Sequence, residues 1–282
     1  MLAALINGQI NNHAKVSILE RGFCYGDGLF ETILVKNNQA ILLNYHLERL
    51  CQDAQRLGFR ETELEVGVFE HEIQQLLACS PDDCIIKIML TRGIGGRGYN
   101  PVGVLQATRV VASFPFVSYP KYYYSPGVKV RICATRLARQ PQLAGIKHLN
   151  RLEQVLARAE WQDSEIAEGI VLDTDSWVIE GTFTNLFIID HVGNIKTPRL
   201  SYAGVKGVMR RFILETAHIF GLKVIECDLS LSDLEQARSA FLTNSIIGLW
   251  PIASCNDWHY LGAACQTTLK LKQVVTTLIN PK

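Results

Sequence analysis

Apolar positions along this chain keep two rhythms, and the rhythm changes wherever glycine, proline or asparagine cluster. Leu47, Leu50, Cys51, Ala54 and Leu57 recur at i, i+3, i+4, i+7 and i+10, which predicts an amphipathic helix stopped by Gly58. Val66, Phe69, Ile73, Leu76 and Leu77 predict a second helix. Residues 30–34, 84–90 and 108–113 read as strands, Leu5-Ile6-Asn7-Gly8 as a strand running into an Asn-Gly turn, and Asn37-Asn38 as a turn before residues 40–43. These predict a small α+β domain over residues 1–116.

Residues 114–127 break the pattern with Pro115, Pro120, Pro126 and Gly127, so neither a continuous helix nor a central strand can run through them. Tyr119, Tyr122, Tyr123 and Tyr124 predict that the linker, drawn over 117–127, packs on something. Beyond it the rhythms resume over 128–282, a larger second domain. Strands are predicted at 128–133, 170–172, 177–189 and 240–244, with a turn at 173–176. Leu152, Val155, Leu156 and Ala159 mark a helix with Asn150 as its predicted N-cap, and Phe212, Thr216, Ile219 and Phe220 mark one after Gly207. Ser232–Glu235 reads as a capping box, and Leu271, Val274, Val275 and Leu278 as a closing helix.

Composition narrows the class of function. A chain of 282 residues is comfortable for two domains, and a hydrophobic content of 48% with 20% charged residues is that of an ordinary globular protein. A net charge of +1 argues against nucleic acid or an anionic membrane as partner. Eight cysteines with no CxxC and no zinc-like spacing read as reduced thiols, with no metal site expected. The apolar N-terminal run is too short for a signal sequence, and no run reaches the ~20 residues a bilayer requires, which predicts a cytoplasmic protein.

Several residues invite chemistry, each beside a plainer reading. Glu180 alternates with Val178 and Thr182, so it is either a buried acid or a strand-edge acid in water. Lys147, between a strand and a helix, is either an exposed loop lysine or a Schiff-base lysine, which needs a partly desolvated site. Gly207-Val208-Met209 opens a helix whose first N–H groups could meet a phosphate. Arg49 points away from the apolar stripe of its helix, as a solvated arginine would. The string Arg92-Gly-Ile-Gly-Gly-Arg97-Gly-Tyr99 lacks a P-loop's GK[ST]; it is either a flexible hairpin loop or a loop offering Arg97 and Tyr99 to a carboxylate.

Read together, Glu180-Gly-Thr-Phe-Thr-Asn185-Leu-Phe187, Thr197 and Gly207-Val208-Met209-Arg210 resemble the signature of the class IV aminotransferase-like enzymes, which use pyridoxal 5'-phosphate (PLP). Residues 143–155 and the Arg92–Tyr99 string are similar to the aminodeoxychorismate lyase branch of that family. The resemblance implies a two-domain α+β protein of fold type IV, D-amino-acid aminotransferase-like, with a small N-terminal domain and a larger β-barrel-like C-terminal one. It implies a homodimer with PLP in the domain cleft. Lys147 would then carry the cofactor, Glu180 would pair with its pyridine nitrogen, and Arg49, Gly207, Val208, Asn244 and Ser245 would hold its phosphate. Arg97, Tyr99 and Phe30 would meet substrate; Phe30 lies in Gly26-Asp27-Gly28-Leu29-Phe30-Glu31, a string general to class IV. The implied reaction converts 4-amino-4-deoxychorismate to 4-aminobenzoate and pyruvate on the way to folate. The alternative is an aminotransferase of D-amino acids or branched-chain amino acids, which shares everything up to proton removal.

Overall fold

The computed structural model describes residues 1–10, 15–104 and 106–280, in two compact units. One gathers Met1–Val117 with Ile146–Asn150, the other Ser118–Gly145 with Arg151–Ile279. The short segment carrying Lys147 therefore packs with the first unit, although in sequence it lies well inside the second half.

The first unit runs β1 (Ala3–Ile6), β2 (Gln9–Ile10), α1 (Arg21–Tyr25), β3 (Gly28–Lys36), β4 (Gln39–Ala40), α2 (Leu43–Arg56), α3 (Val66–Leu77), β5 (Cys84–Thr91) and β6 (Thr108–Pro115). Its strands form one antiparallel sheet in the order β2-β1-β6-β5-β3-β4. Two asparagine-containing turns make the tight hairpins: Asn7-Gly8 and Asn37-Asn38 all take positive φ, the backbone that a two-residue hairpin demands. On β3, period-two alternation places Leu29, Glu31, Ile33 and Val35 on one face, and all four are buried. Leu47, Leu50 and Ala54 of α2 join the three apolar members of that row in a single core with Phe69 and Ile73 of α3. Each such leucine contributes roughly 1.5–3 kcal/mol by leaving water. Glu31 is the polar exception in the row.

The second unit continues with α4 (Lys121–Tyr124), β7 (Val128–Leu137), α5 (Leu152–Arg158), β8 (Ile166–Asp173), β9 (Val178–Gly181), β10 (Asn185–Ile189), β11 (Ile195–Pro198) and α6 (Val208–Thr216). After these come β12 (Val224–Cys227), α7 (Leu231–Glu235), β13 (Ser239–Asn244), β14 (Gly248–Cys255), β15 (Trp258–His259) and α8 (Gln266–Ile279). Its sheet runs β12-β11-β10-β13-β14-β7-β8-β9, and β9 pairs back onto β10, closing six of the strands into a barrel. The closing pair is Glu180 with Asn185. Val130, Ile170, Leu172, Val178, Leu186, Leu242 and Trp250 are among the residues that fill one core of this unit.

Three local expectations shift. Asn150 does not cap α5: Arg151 occupies that position with no capping bond from its side chain, and the Asn150 amide instead donates to the Gly26 carbonyl at 3.1 Å, just past the end of α1. The capping box of α7 is formed by Ser230 and Asp233, two residues before the expected start, because the Ser230 hydroxyl accepts from the Asp233 N–H. The proline-rich segment affords one helical turn, and Tyr119, Tyr123 and Tyr124 meet the Trp250 ring edge-on, with centroids 4.8, 4.9 and 6.4 Å away. Among the described residues, no helix is long and apolar enough to cross a membrane, and no group of three or more His, Cys, Asp and Glu could hold a metal ion.

Candidate active site

Lys147 is half-buried, and both polar groups of its main chain are engaged. Its N–H donates to Asp53 Oδ2 at 3.0 Å, and its carbonyl accepts from the Phe30 N–H at 3.1 Å. The flanking residues extend this seam along β3: Leu149 N–H donates to the Gly28 carbonyl, and His148 forms a bridge with Leu29. Lys147 Nζ lies 4.1 Å from the centroid of the Phe30 ring. Lys147 lies in a loop, as both readings had it, but fixed at its main chain and laid on an aromatic face it is partly desolvated rather than fully exposed.

One residue beyond Phe30, Glu31 turns inward and is fully buried. Buried carboxylates require partners, and two residues of α2 supply them. Arg49 grips Glu31 as a fork, with Nε donating to Oε1 at 2.7 Å and Nη2 to Oε2, while His46 Nδ1 lies 2.6 Å from Oε2. Burial acts to raise the Glu31 carboxyl, but Arg49 and His46 outweigh it and hold the group down at about 2. Burial pushes the proton affinity of His46 down while Glu31 acts to raise it, and its Nε2 is buried with no hydrogen-bond partner among the described residues. Arg49 is thus no solvated arginine, since its side chain is only 11% exposed.

The Arg97/Tyr99 loop is exposed at its tip, with Tyr99 83% exposed, but it is anchored from below. The buried Arg21 guanidinium donates to the carbonyls of Gly98 (3.0 Å), Tyr99 (2.8 Å) and Asn100 (3.4 Å), and its Nε to Asp27 at 2.8 Å. Arg92 donates to the other oxygen of Asp27, and Glu20 accepts from the Gly93 N–H. The two arginines hold the Asp27 carboxyl below its ordinary value although burial opposes them. The loop is a braced arch. Arg21 and Glu20 were not singled out by the sequence, because their partners in this loop lie some seventy positions away.

In the second unit, Glu180 is 4% exposed, which settles the choice between buried and strand-edge acid. Its Oε2 accepts from the Val205 N–H at 2.8 Å and from Asn185 Nδ2 at 3.3 Å, and the same amide donates to the Val205 carbonyl at 2.8 Å. Asn185 therefore clips the loop before α6 to the acid. Gly207 caps α6 without a side-chain bond, and no acidic residue sits in the first turn. A Cβ on Gly207 would fall 2.0 Å from Asn185 Oδ1, so only glycine allows this approach. At the end of β13, Asn244 Oδ1 accepts from the N–H groups of Ile246 and Ile247, and its amide donates to the Phe183 carbonyl.

Glu168, which the sequence reading passed over, supports this arrangement. Fully buried on β8, it accepts from the N–H groups of Gly169, Thr182 and Phe183 and from the hydroxyls of Thr182 and Thr184. The turn between Glu180 and Asn185 is wrapped around this one carboxyl. The structure thus brings together Phe30 with Lys147 and Arg49 with Glu31 in one unit, and Glu180 with Gly207 in the other.

The sequence profile of the class IV amino-transferases matches residues 28–255. The chain belongs to that family. An aminodeoxychorismate lyase of Vibrio harveyi is 37% identical over 250 residues, covering 88% of this chain and 89% of that protein. The crystal structure of a 4-amino-4-deoxychorismate lyase from Pseudomonas aeruginosa superposes with a TM-score of 0.89 at 39% identity, over 96% of this chain and 97% of that one. A hypothetical aminotransferase from Mycobacterium tuberculosis, solved in a PLP-bound form, shares the fold with a TM-score of 0.83 at 20% identity, over 98% of both chains. The architecture is that of fold type IV.

Class IV enzymes of this fold are PLP-dependent, and the residues present fit that group. A buried carboxyl held by an N–H and an amide suits a ring N–H⁺, and a glycine-capped helix start without a capping side chain suits a phosphate. A lysine main chain anchored on both sides starts its side chain from a fixed place, with Nζ over the Phe30 ring.

Proposed function

We propose that this class IV protein is a PLP-dependent lyase that converts 4-amino-4-deoxychorismate to 4-aminobenzoate and pyruvate. The observation that carries the reading is a likeness of 37–39% identity to two such lyases over nearly the whole chain, in which Lys147 and Glu180 are both present and both held. We further propose that the protein is a cytoplasmic homodimer, as the family resemblance and the balanced charge suggest.

When bound, PLP supplies an electron sink for the charge left by proton removal beside the substrate nitrogen. Lys147 would hold the cofactor through Nζ and would be the base that takes the proton from C4 of the substrate. Glu180, its oxygen oriented by Val205 and Asn185, would pair with the ring nitrogen and keep it protonated. The N–H groups of Val208 and its neighbours, with Asn244 and Ser245, would hold the phosphate. Arg97 and Tyr99 read a carboxylate on the substrate, and Phe30 lies against the reacting lysine. The C3–O bond then breaks, the enolpyruvyl oxygen leaves with the bonding pair, and the ring becomes aromatic. The proton lost at C4 equals the one that the departing enolpyruvate takes up, so no water is consumed. Aromatisation favours elimination over the reprotonation that a transaminase needs.

Purified protein incubated with 4-amino-4-deoxychorismate should release 4-aminobenzoate and pyruvate in equal amounts. Release of neither, with amino-group transfer from D-alanine or a branched-chain amino acid to an oxo acid, would replace this reading with the aminotransferase one.

A further inference from the structure

His46, Arg49 and Asp53 lie at i, i+3 and i+7 on α2, a polar stripe along a helix whose neighbouring face is core. His46 and Arg49 go to Glu31, while Asp53, 6% exposed, goes to the N–H of Lys147. A carboxylate accepting a main-chain N–H makes a charge-assisted bond, stronger and more directional than the neutral bonds elsewhere in the seam. It also sets a negative charge at the main chain of Lys147, which is pinned on both sides.

We propose that Asp53 is a positioning residue for Lys147, fixing the lysine's main chain and, through its charge, setting how readily the lysine amine takes up an aldehyde at a given pH. The aldehyde is PLP on the functional reading above, and the inference rests on that reading to this extent. In the uptake step the lysine nitrogen bonds the aldehyde carbon and the aldehyde oxygen leaves as water with both amine protons, so only the unprotonated amine reacts. An ionised Asp53 favours the ammonium and slows uptake, whereas a protonated Asp53 does not. Burial pushes the Asp53 carboxyl up to about 6, opposed by the Lys147 N–H, by Arg49 and by Arg56, and aided by Glu31. The proton affinity of His46, the other titratable group on the stripe, is lowered chiefly by burial, with Glu31 opposing. The Asp53 charge therefore switches within the range where an enzyme works.

The test uses the full chain stripped of cofactor, with PLP added across a pH series that spans pH 6. Uptake is followed by absorbance and by borohydride fixation to the peptide containing Lys147. Asp53→Asn keeps an oxygen acceptor of the same shape and removes the charge. The ratio of its uptake rate to that of the wild type should be near one well below pH 6 and rise about tenfold well above it, the effect of about one unit in lysine proton affinity. A ratio that does not change with pH would overturn the electrostatic part. Asp53→Ala should weaken PLP binding at every pH, and wild-type affinity in that variant would overturn the positioning part. Should Asp53→Ala fail to fold, the Asp53→Asn ratio still decides. A wild-type chain that takes up no PLP would defeat the functional reading itself, an outcome distinct from either.

Discussion

Each unit contains a glutamate buried beyond the reach of water, and the two are held in opposite ways. Glu31 lies between an arginine fork and a histidine, and these partners keep it ionised far below the ordinary carboxyl range. Glu168 faces no cation among its hydrogen-bond partners; five neutral donors surround it, and burial pushes its carboxyl up in spite of them. The difference follows from what each holds. Glu31 orients side chains, His46 and Arg49, so charge attraction serves. Glu168 orients a main-chain turn, whose N–H groups can only be gathered by an acceptor. In both cases the buried acid sits next to a residue assigned to chemistry: Phe30 precedes Glu31, and Glu180 and Asn185 flank the turn on Glu168.

The largest effect should come from removing the charged acid. Glu31→Ala leaves the Arg49 guanidinium buried without its counter-ion, and should cost about 3–5 kcal/mol in urea unfolding. A loss under about 1 kcal/mol would mean that charge pairing is not what distinguishes this site. Next comes Glu180→Gln, which should lower turnover by roughly 10²–10³, equivalent to about 3–4 kcal/mol, while PLP stays bound. Near-normal turnover would reduce Glu180 to a barrel residue.

Glu168→Gln should have a smaller effect, about 1–3 kcal/mol in the same unfolding measurement, because one oxygen remains to accept while the new amide faces donors. A loss exceeding that of Glu31→Ala would reverse the comparison. The finest test is the sign of the pH dependence. The Glu31 carboxyl is lowered on folding, so its contribution is complete above its ordinary 4.5 and is lost as pH falls through about 2. The Glu168 carboxyl is raised on folding, so its contribution is complete below 4.5 and is lost as pH rises through the raised value. Wild-type stability relative to Glu31→Gln should therefore shrink toward acid, and relative to Glu168→Gln shrink toward neutrality. Parallel slopes for the two pairs would show that both acids are held alike.

The sequence was legible wherever neighbours in the chain are neighbours in space. The α2 stripe of Leu47, Leu50 and Ala54 follows from helical spacing alone, and Glu180 with Asn185 followed from a short motif. Arg49 misled, because a position opposite the core of a helix counts as solvated unless a strand carries a buried acid toward it, as β3 does with Glu31. Asp53, Arg21 and Glu168 were out of reach for a related reason. Asp53 meets Lys147 across 94 positions and Arg21 meets Tyr99 across 78, and no local period records such pairings. Glu168 lies only fourteen residues from Thr182, yet its role depends on β8 and β9 lying side by side. The misplaced cap at Asn150 has the same origin: a distant carbonyl at Gly26 claimed the amide.

The barrel of the second unit closes where β9 turns into β10, at the Glu180 and Asn185 pair, with the Gly181 N–H donating to the Thr184 carbonyl across the turn. Glu168 holds the turn of that closure from beneath, so the wall and the turn are organised at one place. That place carries the acid assigned to the cofactor ring and the amide that steadies the loop before α6. Opening the wall and disarming the chemistry are then one event, so a partly opened chain would be silent rather than error-prone. Any cofactor bridging the acid and the helix start would act as a rivet across the same joint. Amide-hydrogen exchange at Asn185 and Val205 should slow when PLP is added, more than at the distant rungs between β13 and β14.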